Sequence, residues 1–296
     1  MNITRIGIIG FGEVGKIFGA GIAALPSVAT VSTWDKKGAQ GTGMVEAASA
    51  RNVIWCDDAA AVYANADLII SAVTASNTTD VAQTAAAYIQ PGSIFLDLNS
   101  ASPGTKKACA QRIESAGAHY VEAGVMTSVP PYGIKVPMLL GGALAPELSE
   151  HLNAWGFDTA VANTTLGIAS AIKMSRSVMI KGLEALVIES FATARVYGVE
   201  RQMLATLKET FPGIDWEKQG AYFFTRVAQH GQRRAEEMRE SANTVAEAGF
   251  EPFMTQSIAD KQQWMADAAK AGVFKDIPSD APWEVFADAL ISARRA

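Results

Sequence analysis

The sequence predicts an α/β chain in which a doubly wound parallel sheet fills the N-terminal half and one long helix bridges to an all-α C-terminal half. Three observations carry this reading. Short apolar runs alternate with helical stretches up to residue 163, a Gly-x-Gly-x-x-Gly turn joins the first run to the first helix, and Leu166–Tyr197 contains no proline.

The runs Arg5–Gly10, Thr30–Trp34, Val53–Cys56, Asp67–Val73, Ile94–Leu98 and Tyr120–Val125 are apolar and bounded by turn residues, which suits parallel strands buried on both faces. Val14–Leu25 and Thr79–Ile89 read as helices between them, and Pro91-Gly92 punctuates the return to the next strand. Strand alternating with helix is the pattern of a doubly wound sheet. Leu166–Tyr197 has only Gly167 and Gly182 as internal glycines. About 30 helical residues span roughly 45 Å, a length suited to bridging two domains. Thr164 or Thr165 is the expected cap of its start, and Gly198 the left-handed residue at its end. Arg201–Phe211, Trp216–Ala248, Thr255–Ala271 and Pro282–Arg295 read as further helices, broken at Pro212-Gly213, Gly249 and Pro278. The expected domains are therefore residues 1–163 and, including the bridging helix, 164–296.

The chain has 296 residues, 49% hydrophobic and 19% charged, a balance that fills a core and is far from the signature of disorder. Its net charge of −5 would repel phosphate backbones and anionic lipid, which argues against nucleic acid and membrane partners. Cys56 and Cys109 lie far apart, and His119, His151 and His230 are single, so neither a disulfide framework nor a metal ligand set is expected. Buried thiols are the expectation for both cysteines. The N-terminus lacks a signal-peptide pattern, and no apolar stretch reaches roughly 18 residues, so a cytoplasmic protein is expected.

Gly10-Phe11-Gly12-Glu13-Val14-Gly15 follows an apolar run and opens an amphipathic helix. In a Rossmann dinucleotide site the first glycine makes the turn, the second admits the pyrophosphate and the third packs helix on strand. The helix N-terminus then offers free N–H groups and a positive dipole end. Asp35 closes the second strand twenty residues beyond Gly15, where a carboxylate accepts hydrogen bonds from the adenosine ribose and repels a 2′-phosphate. NAD is therefore expected over NADP. Lys36 and Lys37 leave NADP open, because they attract a 2′-phosphate if Asp35 points away. Val73 and Thr74, at the end of the fourth strand, and Asn99 and Ser100, after the fifth, complete the expected cofactor contacts.

Gly167-Ile168-Ala169-Ser170-Ala171-Ile172-Lys173-Met174-Ser175-Arg176-Ser177 opens the bridging helix and places Lys173 and Ser177 on one face, with Lys181 one turn further. A lysine in a closed apolar cleft beside an oxidised nicotinamide has its pKa lowered into the range of a general acid/base. The same spacing also describes a solvated polar stripe, and the residues alone leave both readings open.

Four segments together resemble the β-hydroxyacid dehydrogenase and 6-phosphogluconate dehydrogenase superfamily. They are the dinucleotide loop, Asp97-Leu98-Asn99-Ser100-Ala101-Ser102-Pro103, Glu122-Ala123-Gly124-Val125-Met126-Thr127-Ser128 and Gly167–Lys173. The resemblance implies Lys173 as general acid/base, Ser177 as its catalytic partner and a substrate site including Ser100, Met126, Thr127, Ser128, Lys173 and Ser177. Three departures qualify it. Met126-Thr127-Ser128 stands where the family has Ser-Gly-Gly, Ser177 where it has asparagine, and Ile180 where the decarboxylating branch has glutamate. An isoleucine cannot protonate an enediol, which disfavours oxidative decarboxylation. The segment His230-Gly231-Gln232-Arg233-Arg234-Ala235-Glu236-Glu237-Met238 resembles a divergent branch with a phosphogluconate-dehydrogenase-like C-terminal domain. Arg233 and Arg234 fit an anionic substrate group, or equally a solvated helix on which they pair with Glu236, Glu237 and Glu240.

The resemblance thus implies an NAD(P)-dependent dehydrogenase or reductase acting on a small hydroxy acid or related carbonyl compound. Imine reduction and nucleotide sensing without turnover are the alternatives. A homodimer is expected because Ile172, Met174, Val178, Ile180, Leu183, Leu186, Val187 and Ile188 surround the bridging helix, so more than one side needs cover.

Overall fold

The computed structural model describes residues 1–38 and 43–295, and it divides into two compact units, Met1–Met174 and Ser175–Ala296. The first unit contains β1 (Arg5–Ile9), α1 (Glu13–Ala23), β2 (Thr30–Trp34), α2 (Met44–Ser49), β3 (Ile54–Trp55), α3 (Ala59–Ala64), β4 (Leu68–Ser71), α4 (Thr78–Tyr88) and β5 (Ile94–Asp97). It continues through α5 (Pro103–Ser115), β6 (His119–Val125), β7 (Pro137–Gly141), α6 (Ala145–Ala154) and β8 (Asp158–Asn163) into α7 (Ile168–Tyr197). The sheet order is β3-β2-β1-β4-β5-β6-β7-β8. All six strands expected from the sequence are present, mutually parallel, and at one end of this order.

The sheet is mixed rather than wholly parallel, because β7 runs antiparallel to β6 and β8 runs parallel to β7. Residues 126–136 connect β6 to β7 with only a short 3-10 turn at Gly133–Lys135. A parallel return needs a crossover, usually through a helix, whereas an antiparallel return does not. Successive side chains on the central strands point to opposite faces. Ile8, Ile70 and Leu96 join the apolar core on one side, and Ile9, Ile69 and Phe95 the core on the other.

The start of α7 differs from expectation. Its helical residues begin at Ile168, after Gly167 at φ +97°, and neither Thr164 nor Thr165 caps it. Glu122 of β6 does so instead, its Oε1 accepting from the backbone N–H of Gly167 at 2.7 Å and of Ala169 at 3.1 Å. A carboxylate satisfies the orphan N–H groups of a helix start and complements its dipole. The expected left-handed residue at the other end is present, Gly198 at φ +68°.

The second unit takes the remainder of α7 and adds α8 (Glu200–Thr210), α9 (Trp216–Glu247), α10 (Phe253–Lys270) and α11 (Trp283–Arg295), close to the four helices expected. Its core joins Ile188 and Phe191 of α7 to Phe224 and Val227 of α9, Met265 of α10, and Trp283 and Phe286 of α11. Both cysteines are free thiols, Cys109 buried and Cys56 only half-buried. Among the described residues no helix is long and apolar enough to cross a membrane.

Candidate cofactor and proton-transfer site

The Gly10–Gly15 turn is shaped by backbone contacts that side chains would block. Gly10 has φ +92°, a left-handed value that favours glycine, and a Cβ on Gly15 would lie 2.0 Å from the Gly10 carbonyl oxygen. At Gly12 a Cβ would meet nothing within 4 Å, so its backbone is open to a ligand. No side chain caps the first turn of α1, where Glu13 is exposed and Val14 half-buried. Asp35, at the end of β2, is tied into this turn. Its Oδ2 accepts from the Phe11 N–H and its Oδ1 from the Lys37 N–H, both at 2.8 Å. Each oxygen keeps acceptor capacity for a ribose hydroxyl. Lys36 donates to Asn77 Oδ1 at 2.5 Å, which engages one of the two lysines that left NADP open. The turn fits a dinucleotide: open backbone for the pyrophosphate, an uncapped helix start, and a fixed carboxylate at the strand end.

The ends of β4 and β5 meet in a buried polar network. Asn99 Oδ1 accepts from the Val73 N–H at 2.8 Å, and its Nδ2 donates to Ser71 Oγ at 2.9 Å. Asp97, 1% exposed, accepts from the Asn99 N–H at 2.8 Å, from the Tyr120 hydroxyl at 2.5 Å, and from Lys106 at 2.9 Å in an ion pair. Burial first, then the Asp97 charge, hold the Tyr120 phenol well above its ordinary pKa, so it stays a protonated donor. The amide of Asn99 thereby fastens the turn that carries Val73, rather than standing loose for a ligand. Thr74 is exposed and Ser100 half-buried beside it.

Lys173 stands half-buried on the second turn of α7. That turn packs on the end of β6. A Cβ on Gly124 would lie 3.2 Å from the Ala169 carbonyl oxygen, 3.5 Å from Lys173 Cβ and 3.7 Å from Met126 Sδ. Gly124→Ala is expected to lower turnover by displacing the Lys173 backbone, with cofactor affinity retained; steady-state kinetics beside a cofactor titration checks it. Met126 is itself pinned, its N–H donating to the Pro137 carbonyl at 2.9 Å, while Thr127 is exposed and Ser128 half-buried. The structure therefore brings Lys173, Gly124 and Met126 together at the carboxyl end of β6, the sheet end from which the dinucleotide turn also leaves β1.

Ser177, one turn beyond Lys173 on α7, is buried in the helical unit and accepts from Lys181 Nζ at 3.3 Å. Lys181 forms an ion pair with Glu237 of α9 at 2.7 Å. Arg233 stands 3.7 Å from the same carboxylate, its side chain 41% exposed. Arg234, by contrast, is buried against Glu184 of α7 in a two-point ion pair, with one bond of 2.8 Å, and Gln262 of α10 reaches that carboxylate at 3.4 Å. Of the two arginines, Arg234 is committed to the helical core and Arg233 is the one with exposed surface.

The sequence assigns no role to Lys106, Tyr120 or Glu122, and it places Lys181 and Glu237 on their helices without pairing them with each other. The strand acids carried the available signal: Asp97 and Glu122 sit inside apolar runs, and a carboxylate there demands donors. Among the described residues no group of three or more His, Cys, Asp or Glu side chains is placed to hold a metal ion.

Comparison with known proteins agrees with this geometry. Residues 5–130 match the family profile of the NAD binding domain of 6-phosphogluconate dehydrogenase, and residues 194–265 match a domain of unknown function, DUF1932. A conserved hypothetical protein from Sinorhizobium meliloti is 35% identical, with a TM-score of 0.75 over 99% of this chain and 97% of that one. A conserved protein of unknown function, reported to show structural similarity with 3-hydroxyacid dehydrogenases, is 29% identical, with a TM-score of 0.67 over 90% of this chain and 99% of that one. The fold is also that of the 3-hydroxyisobutyrate dehydrogenase of Mycobacterium tuberculosis, solved with L-serine, at 16% identity and a TM-score of 0.66 over 97% of this chain and 99% of that one. The chain belongs to the 6-phosphogluconate dehydrogenase and β-hydroxyacid dehydrogenase superfamily, and it is an oxidoreductase of the NAD(P)-dependent hydroxyacid-dehydrogenase type.

Proposed function

We propose that the protein moves a hydride between NAD(H) and a small hydroxy acid or related carbonyl compound, with Lys173 as the general acid/base. The observation that carries this reading is the seating of Lys173 over Gly124 and Met126, at the same sheet end as the Gly10–Gly15 turn. Ligands of open α/β sheets bind at the carboxyl ends of the strands. The nicotinamide supplies the hydride acceptor or donor. For oxidation, the Lys173 amine takes the substrate hydroxyl proton as the C–H bond yields its hydride, and in reduction it returns that proton to the new alkoxide. Met126, Thr127, Ser128 and Ser100 are the substrate contacts we propose on the sheet unit, and Ser177 of α7 and Arg233 of α9 are proposed as polar substrate contacts in their own right. Absorbance of the reduced nicotinamide across a panel of hydroxy acids and their carbonyl partners tests the reading. No substrate-dependent change with any of them would favour a nucleotide-sensing protein.

The double anchoring of Asp35 supports NAD over NADP, because a fixed carboxylate disfavours a 2′-phosphate. Calorimetry is expected to show tighter NAD(H) binding in the wild type and a narrowed or reversed preference in Asp35→Ala; tighter NADP(H) binding by the wild type would overturn the assignment.

A homodimer is the expected assembly. Met179, Leu186, Val196 and Tyr197 of α7 are 54–76% exposed, an apolar surface that a second copy would cover. Light scattering should give twice 31.3 kDa, and the single-chain mass at micromolar concentration would contradict the assembly.

A further inference from the structure

Ser177 is buried, and the direction of its single hydroxyl proton decides what it can recognise. An ammonium group only donates, so with Lys181 Nζ 3.3 Å from Ser177 Oγ the oxygen must accept there. Lys181 is held in turn by Glu237 at 2.7 Å, its side chain 8% exposed, so it is not free to swing out to water. The helix supplies the spacing, since residues 177 and 181 are i and i+4 and Glu237 faces them from α9. An asparagine at position 177 would present a donor and an acceptor together. A serine that accepts from an ammonium on one of its two lone pairs must turn its proton away from that ammonium, where it can donate.

We propose that Lys181, anchored by Glu237, is a positioning residue that directs the Ser177 hydroxyl proton away from the ammonium, so that this position donates to an acceptor oxygen of the substrate, such as a carboxylate. The proposal rests on the reading of Ser177 as a substrate contact. Lys181 acts through Ser177 and itself transfers no proton in the reaction.

The experiment uses the full chain with saturating NADH and malonate as an acceptor-only probe, titrated by calorimetry. Removing Lys181 alone would leave Glu237 an uncompensated carboxylate, so the pair is removed together as Lys181→Met with Glu237→Gln. Ser177→Ala, the paired variant and their combination form a double-mutant cycle. Ser177→Ala and the paired variant are each expected to weaken malonate binding by about 3–10-fold, the scale of one lost hydrogen bond, while their combination is no weaker than either. Ser177→Thr, which keeps the hydroxyl, is expected to retain affinity. Effects that multiply in the combination would show Lys181 attracting the anion directly or serving only the fold, and would overturn the proposal. So would wild-type affinity in Ser177→Ala, or a wild-type NADH complex that ignores malonate. Ser177→Ala removes one oxygen and keeps the charge pair, so wild-type affinity in it overturns the proposal even where the paired variant folds poorly. NADH affinity is measured alongside, and its absence in the wild type would count against the cofactor reading and not against the polarity of Ser177.

Discussion

Lys173→Met is expected to lower turnover by about 10²–10⁴-fold, the range that general acid/base catalysis contributes. Methionine keeps much of the stem that packs beside Gly124 and Met126 and removes only the amine and its proton. The Gly10–Gly15 turn and Asp35 are built from residues that Lys173 does not support, so NAD affinity should stay within a few-fold of wild type. The two measurements are therefore made on one preparation: cofactor affinity by titration, and turnover on a substrate found in the panel. Turnover at the wild-type rate would reduce Lys173 to a helix charge and leave a cofactor site without chemistry. Loss of both together would mean that the substitution had disturbed the end of β6.

The second large effect concerns stability. Lys106→Met is expected to cost about 3–5 kcal/mol of unfolding free energy, as when one partner of a buried ion pair is removed. Lys106 and Asp97 are each 1% exposed, and methionine leaves the carboxylate with only neutral donors, the Tyr120 hydroxyl and the Asn99 N–H. Asp97→Asn combined with Lys106→Met should recover part of the loss, because no buried charge then stands alone. Urea unfolding followed by circular dichroism checks the order wild type, double variant, Lys106→Met. A loss below about 1 kcal/mol would place the pair with exposed ion pairs. The same network fastens Asn99 to Val73, so weaker NAD binding should accompany the destabilisation.

The strand and helix pattern of residues 1–125 was legible because buried parallel strands are short, apolar and separated by turn residues. Strand β7, Pro137–Gly141, has that apolar character too, but its proline start and the helix-free connection before it gave no alternating rhythm to place it by. Strand β8 lies at the sheet edge with Asp158, Ala160, Val161 and Asn163 exposed, so its residues carry little apolar signal. In the candidate site, the glycine turn and Asp35 stand out by local spacing, whereas the role proposed for Lys173 comes from the family resemblance, its spacing alone fitting a solvated stripe equally. Lys106, Tyr120 and Glu122 do not stand out, since their partners are set by strand neighbours and helix packing. Glu122 meets Gly167 across 45 residues, and Lys181 meets Glu237 from another helix. Thr164 and Thr165 were plausible caps by composition, but a carboxylate from β6 holds that helix start.

The carboxylate of Glu122 also divides labour along one helix. It fastens residues 167 and 169 to the sheet, so the proposed proton carrier at position 173 keeps its register with the nucleotide-binding body, whereas residue 177 shares hydrogen bonds and charge with the helical body. Residue 173 thus takes its register from the strand that carries Glu122. A carboxylate 45 positions earlier in the chain is therefore the address label of the proposed proton carrier: a change at Glu122 would reach residue 173 through the helix backbone, without touching its side chain.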